Sequence, residues 1–134
     1  MLGLQHLQDI AKSRLEEAQI LHNNGKFDGA RYLAGYAVEM ALKWVITKDK
    51  LVGFPETVKE FKLYQDSKDH DLANLLTLAG KNQMKNDKTF AVAWDIAKDW
   101  NSEFRYRPPG AVTSAHSSET LAATNDILTL LGVL

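Results

Sequence analysis

The stretch from Asp28 to Thr47 constrains this chain more than any other. Ala30, Leu33, Ala34, Ala37, Val38, Ala41, Leu42 and Val45 recur every three or four residues, which on a helix makes a wide apolar face. Between Ala30 and Ile46 only Arg31, Glu39 and Lys43 carry charge. A helix with so little polar surface is expected to lie innermost in whatever it joins. Gly29, Ala30, Ala34, Gly35, Ala37 and Ala41 are small enough for neighbouring backbones to approach closely, so the packing around it should be tight. Glu39 and Lys43 stand one turn apart, a spacing that allows a favourable pair. The helix is expected to open at Asp28, whose carboxylate would accept from the free amides of the first turn, and to run to about Thr47.

The other segments supply partners. Leu7, Ala11, Leu15, Ala18 and Leu21 form an apolar stripe opposite Gln8, Lys12, Glu16, Gln19 and Asn23, and this first helix should stop at Asn23-Asn24-Gly25. From Lys48 to Asp69 the pattern degrades around Gly53-Phe54-Pro55, which reads as a long, partly ordered connection with one helical turn after Pro55. Leu72, Leu75, Leu76 and Ala79 predict a short helix capped by Asp69 or Asp71 and ended near Gly80. Asn86-Asp87 opens an aromatic stripe of Phe90, Trp94, Trp100 and Phe104, interleaved with Ala93 and Ala97, and Pro108-Pro109-Gly110 stops it. Leu121, Ala122, Leu128 and Leu131 mark a last helix that ends around Gly132. No period-two run flanked by hairpin turns occurs, so a sheet is not expected.

The expected fold is therefore all-α: an up-and-down helical bundle of four long helices plus one short helix, in a single domain spanning 1–134. A chain of 134 residues with 45% apolar positions suits one such core. Without cysteine it has no disulfide, thiol nucleophile or zinc knuckle, in keeping with a reducing compartment. The start lacks a basic leader and no segment approaches eighteen apolar residues in a row, so the expectation is a cytoplasmic protein that does not engage a membrane. A formal net charge of −1 is far from that of a protein that wraps duplex nucleic acid, though a local basic patch is compatible with it. Small-residue helix faces and the aromatic stripe exceed what one short bundle needs to bury, which predicts a homodimer.

No metal or cofactor is expected. Glu16-Glu17 lacks a Glu-x-x-His partner, and His6, His22, His70 and His116 show no ligand spacing. Asp69-His70-Asp71 reads as a helix cap with a solvated histidine. Phosphate-cradling glycine loops and the nucleophile elbow are missing as well. Polar groups concentrate instead in the segment from Trp100 to Gly110, with His116 six residues beyond it. Arg105 and Arg107 offer planar guanidinium forks suited to phosphate, Tyr106 can stack on a base, and His116 can move a proton in phosphodiester cleavage. The structural alternative is that both arginines satisfy carbonyls at a helix C-terminus, worth about 0.3–1 kcal/mol, and that His116 is a surface residue. Trp94 and Trp100 read as core or dimer contacts. Lys43, Lys48, Lys50, Lys59 and Lys62 are interleaved with acids, as on a solvated face.

The string from Gly25 through Asp28, Ala30, Leu33, Gly35, Tyr36 and Glu39 to Lys43 resembles the second helix of the HEPN family, small prokaryotic helical domains often encoded beside minimal nucleotidyltransferases. His70-x-Leu72-x-x-Leu75 and Trp100-x-x-Glu103-x-Arg105-Tyr106 are similar to two further elements of that family, and the likeness covers about residues 4–131. It implies a bundle like the substrate-binding subunits of nucleotidyltransferases, usually a two-fold dimer, engaged in RNA or nucleotide transactions of toxin-antitoxin and defence systems. Many members are metal-independent ribonucleases whose signature is an Arg, four to six residues, and a His. Here ten residues separate Arg105 from His116, eight separate Arg107 from it, and seven separate Arg14 from His22. The resulting expectation is a HEPN-like domain that binds RNA, a nucleotide or a partner nucleotidyltransferase through Arg105, Tyr106 and Arg107 without the nuclease motif. The competing one is a metal-independent endoribonuclease toxin that uses His116 with Arg105 or Arg107 across a homodimer.

Overall fold

Helix α1 (Leu4–Asn23) buries Leu7, Ala11 and Ala18, and the chain then reverses within three residues. The amide of Lys26 donates to the carbonyl of Leu21 at 2.8 Å and that of Gly25 to His22 at 3.0 Å. This pair of bonds requires the left-handed backbone that Gly25 adopts at φ +75°. In the computed structural model, which describes residues 3–50 and 69–134, the turn lays α2 (Phe27–Lys50) back along α1.

Eleven residues of α2 are buried, among them Ala30, Ala34, Gly35, Ala37, Ala41 and Ile46, and the helix contacts α1, α3 (Leu72–Leu78), α5 (Ser114–Leu130) and the 3-10 helix Ser102–Tyr106. It is the central rod that its composition demands. It begins one residue earlier than expected, with the Lys26 carbonyl accepting from the Ala30 amide at 3.0 Å. The Asp28 carboxylate does not serve its own first turn; its bonds run to a loop more than eighty positions away, described below. The helix also outruns its expected end at Thr47: Lys48–Lys50, the first residues of the expected connection from Lys48 to Asp69, continue α2. Residues 51–68 of that connection, with the turn after Pro55, lie outside the described residues.

Asp71 caps α3 by accepting from the Asn74 amide at 3.1 Å, and Leu72, Leu75 and Leu76 are its buried face. After the 3-10 helix Asn82–Asn86, Asp87 caps α4 (Lys88–Ala97) by accepting from Phe90 at 2.9 Å. Here one expectation is corrected: α4 ends at Ala97 and does not carry the aromatic stripe on to Phe104. The Trp100 amide bonds three residues back to Ala97, and the Asn101 side chain accepts from the Glu103 amide at 2.9 Å. A side chain that captures a nearby backbone amide offers the chain an alternative to the helical ladder, so helix gives way to the turn before Ser102–Tyr106. The break lets Trp100 lie on α2, where its indole N–H donates to the Tyr32 carbonyl at 3.0 Å. A Cβ at Gly35 would meet that indole at 2.1 Å. Glycine at this position is a condition of the packing.

Thr113 caps α5, which buries Leu121, Ala123, Ile127 and Leu128 beside three hydroxyl residues. The hydroxyls of Thr120 and Thr124 donate one turn back, to His116 and Thr120, at 2.9 and 2.8 Å, and Ser117 Oγ lies 2.8 Å from His22 Nδ1. Buried oxygen is thus tolerated because each has a partner. The described residues form an all-α bundle without strands.

Candidate functional site

The chain's charge is handled in two contrasting places. The first is the corner between the start of α2 and the 3-10 helix Ser102–Tyr106. Phe104 is half-buried there, 6.5 Å from Trp100 between ring centres, and two guanidiniums lie over its ring: Arg107 at 3.6 Å from the centroid and Arg31 of α2 at 4.6 Å. Each such contact stabilises by about 0.5–1 kcal/mol at an exposed site. Two cations on one ring also repel. Burial lowers the pKa of Arg31, Arg107 lowers it further, and Asp99 opposes them. The Arg105 guanidinium lies 4.9 Å over Tyr106, and the phenols of Tyr106 and Tyr32 hold its pKa above the usual value. Tyr106 itself is 74% exposed. Among the described residues none of the three arginines enters an ion pair.

Asp28 fixes this corner. Its carboxylate oxygens accept from the amides of Gly110, at 2.6 Å, and Val112, at 2.9 Å, which ties the Pro108-Pro109-Gly110 turn to α2. Asp28, Arg31, Phe104, Arg107, Pro108 and Val112 line a cavity of about 30 Å³ at this junction. One turn along α2 the hydroxyls of Tyr32 and Tyr36 share a hydrogen bond at 3.2 Å. That bond, with burial and the nearby Tyr32 and Glu39, pushes the Tyr36 phenol up to about 12 against the pull of Arg105.

The sequence-predicted residues are only partly united. Arg105, Tyr106 and Arg107 share the corner, and among the described residues neither guanidinium bonds a helix carbonyl, so the capping alternative is not what holds them. His116 stands in the first turn of α5, half-buried, with its backbone amide on Thr113 Oγ at 3.1 Å. Among the described residues no hydrogen bond or ion pair joins its ring to either arginine. Arg31 and Asp28 were missed as site residues. Their signal was available: a charged pair three residues apart, and so on one face, in the first turns of an otherwise apolar helix.

The second place is Glu39, fully buried in α2. Its Oε1 lies 2.9 Å from His70 Nδ1 and its Oε2 accepts from Lys43 Nζ at 3.3 Å. The His70 amide donates to Asp69 at 2.7 Å, so the residue is held at both backbone and ring. His70 is therefore no merely solvated cap neighbour, although its side chain remains 56% exposed. Nor is Lys43 simply a surface lysine. Bonds from Asn74, then from the Asp71 and His70 amides, hold the Asp69 carboxyl below its usual value. His70 and the turn Lys98–Glu103 border a cavity of about 400 Å³. No three acidic or histidine side chains among the described residues converge as a metal site would require.

The model of the HEPN domain matches residues 4–134. The chain belongs to the HEPN family. No curated protein and no solved structure matches it. Membership carries an RNA-related role, in many HEPN proteins that of a ribonuclease or a toxin-antitoxin component. No helix among the described residues of this HEPN domain is long and apolar enough to cross a membrane.

Proposed function

We propose that this HEPN domain binds RNA or a nucleotide through the corner of Arg105, Tyr106 and Arg107, and that it does so without cleaving the ligand. The observation that carries the reading is the set of guanidiniums gathered at one corner with no ion-pair partner among the described residues. Such a group attracts a polyanion, and the exposed Tyr106 ring beside it can stack on a base. The separation of His116 from both arginines supports a binding role over a nuclease one.

The setting we propose is that of a cytoplasmic, prokaryotic toxin-antitoxin or defence pair in which a nucleotidyltransferase is the partner. A homodimer fits the habit of the family and the exposure of Ile20 and Val92. The aromatic stripe no longer argues for it, because Phe90, Trp94 and Trp100 are consumed in the protomer's own core. Sedimentation at micromolar concentration should give twice the 15.0 kDa chain mass.

Fluorescence anisotropy with labelled single-stranded RNA tests the binding corner. Replacing Arg105 and Arg107 together by Ala should weaken binding by about tenfold or more and flatten its salt dependence. Unchanged binding in the double variant would remove the site. RNA cleavage that survives EDTA and vanishes in His116→Ala would replace the reading with the endoribonuclease one.

A further inference from the structure

We infer that the phosphate-reading element of this corner is the Arg31–Arg107 pair on the Phe104 ring, and that it selects a terminal phosphate monoester over an internal phosphodiester. The inference rests on the binding role proposed above and changes which residues perform it. Arg107 at 3.6 Å and Arg31 at 4.6 Å from one ring centroid are two cations held by a shared platform. Arg105 is turned to a different ring, that of Tyr106, at 4.9 Å. The pair therefore presents two positive charges where the third arginine does not.

Two neighbouring cations with no ion-pair partner among the described residues are best matched by a ligand of charge near −2. A phosphate monoester carries about −1.5 to −2 at pH 7, whereas each internal phosphodiester carries about −1. Among the described residues the one acid lining the cavity is Asp28, whose two oxygens are engaged by the Gly110 and Val112 amides, and Asp99, which favours the charged form of Arg31, does not line it. It holds the turn that carries Arg107 and does not neutralise the pair by direct contact. At about 30 Å³ the cavity admits oxygens of a terminal group and not a nucleoside. The sugar and base must remain outside it, and Tyr106, one residue before Arg107, is an exposed ring on that side of the chain's turn. The mutual repulsion that, after burial, lowers the Arg31 pKa is relieved by a dianion in the cavity that both arginines line. An RNA end and a free mononucleotide offer the same group.

The test compares short single-stranded RNAs of one sequence bearing a 5′-phosphate or a 5′-hydroxyl, and AMP against adenosine. The intact protein should prefer each phosphorylated ligand by about tenfold, as two extra partly screened charge contacts supply. In Arg31→Gln the ratio should fall to about one, Arg31→Lys should restore part of it, and Arg105→Gln should weaken both RNAs alike with the ratio kept. A ratio is insensitive to the fraction of protein folded, so instability of a variant cannot mimic the result. Preference for the phosphorylated RNA without preference for AMP identifies an RNA end as the source, and preference for both admits the mononucleotide. If RNA binds and depends on Arg105 and Arg107 but the ratio is near one, this inference fails while the binding role stands. A ratio unchanged by Arg31→Gln removes Arg31 from the element, and absence of binding to every ligand overturns both readings.

Discussion

Glu39 and the Arg31–Arg107 pair lie on the same helix or against it, yet they hold charge in opposite ways. The Glu39 carboxylate is fully buried, and each of its oxygens has a cationic or ionisable partner from the chain itself. An enclosed carboxylate without partners would destabilise the fold by several kcal/mol, so the bundle must complete this group internally. The arginines have a ring beneath them and repel each other, and no ion pair among the described residues completes them. Charge that is completed internally reports on folding, while charge left incomplete at a fixed corner reports on an outside partner.

Opening the closed region should have the largest effect. Lys43→Met strips one partner from the buried carboxylate, and urea denaturation should show a loss of about 3 kcal/mol. A loss below about 1 kcal/mol would mean that Glu39 is not enclosed as described. Asp28→Ala acts on the corner, and by removing two charge-assisted bonds that are partly solvated it should lower stability by about 1–2 kcal/mol. Amide exchange at Gly110 and Val112 should accelerate with it, since those two amides lose their acceptor. Arg107→Ala should cost stability only about 0.5 kcal/mol while RNA affinity falls about tenfold, the signature of a residue that serves a ligand more than the fold.

A further effect, confined to alkaline pH, lies between the two regions, at Tyr36. Its phenol, raised to about 12, is compared with about 10 in the unfolded chain. The unfolded state therefore loses its proton first, so this contribution to stability is complete below pH 10 and is lost as pH rises from about 10 to 12. Phenolate absorbance should show Tyr36 titrating late, and Tyr32→Phe should bring it back toward the ordinary value.

The bundle was legible because its signals are local. The wide apolar face of α2, the Asp71 and Asp87 caps and the glycine that follows α1 each act within a turn or two of their own position. The end of α4 was harder, since spacing alone carries the aromatic stripe through to Phe104 and only the Asn101 side chain, together with the space above Gly35, diverts it. The site was legible in part. Arg105, Tyr106 and Arg107 stand together in the sequence, but Arg31 joins them across more than seventy positions, and Asp28 bonds the turn after them across more than eighty. The local capping rule pointed Asp28 at its own helix, and a tertiary bond to the Pro-Pro-Gly turn won. His70 was hidden in the same way, its partner being thirty-one positions away on α2.

We propose that the incomplete corner, and not the enclosed acid with its neighbouring cavity, receives the ligand. Arginine side-chain NMR on the labelled intact protein, titrated with 5′-phosphorylated RNA, addresses it most directly when read together with the His70 ring signals. The Nε–H resonances of Arg31 and Arg107 should move together with added RNA while His70 stays in place. Movement confined to His70 and the turn Lys98–Glu103, with both arginines unchanged, would contradict it.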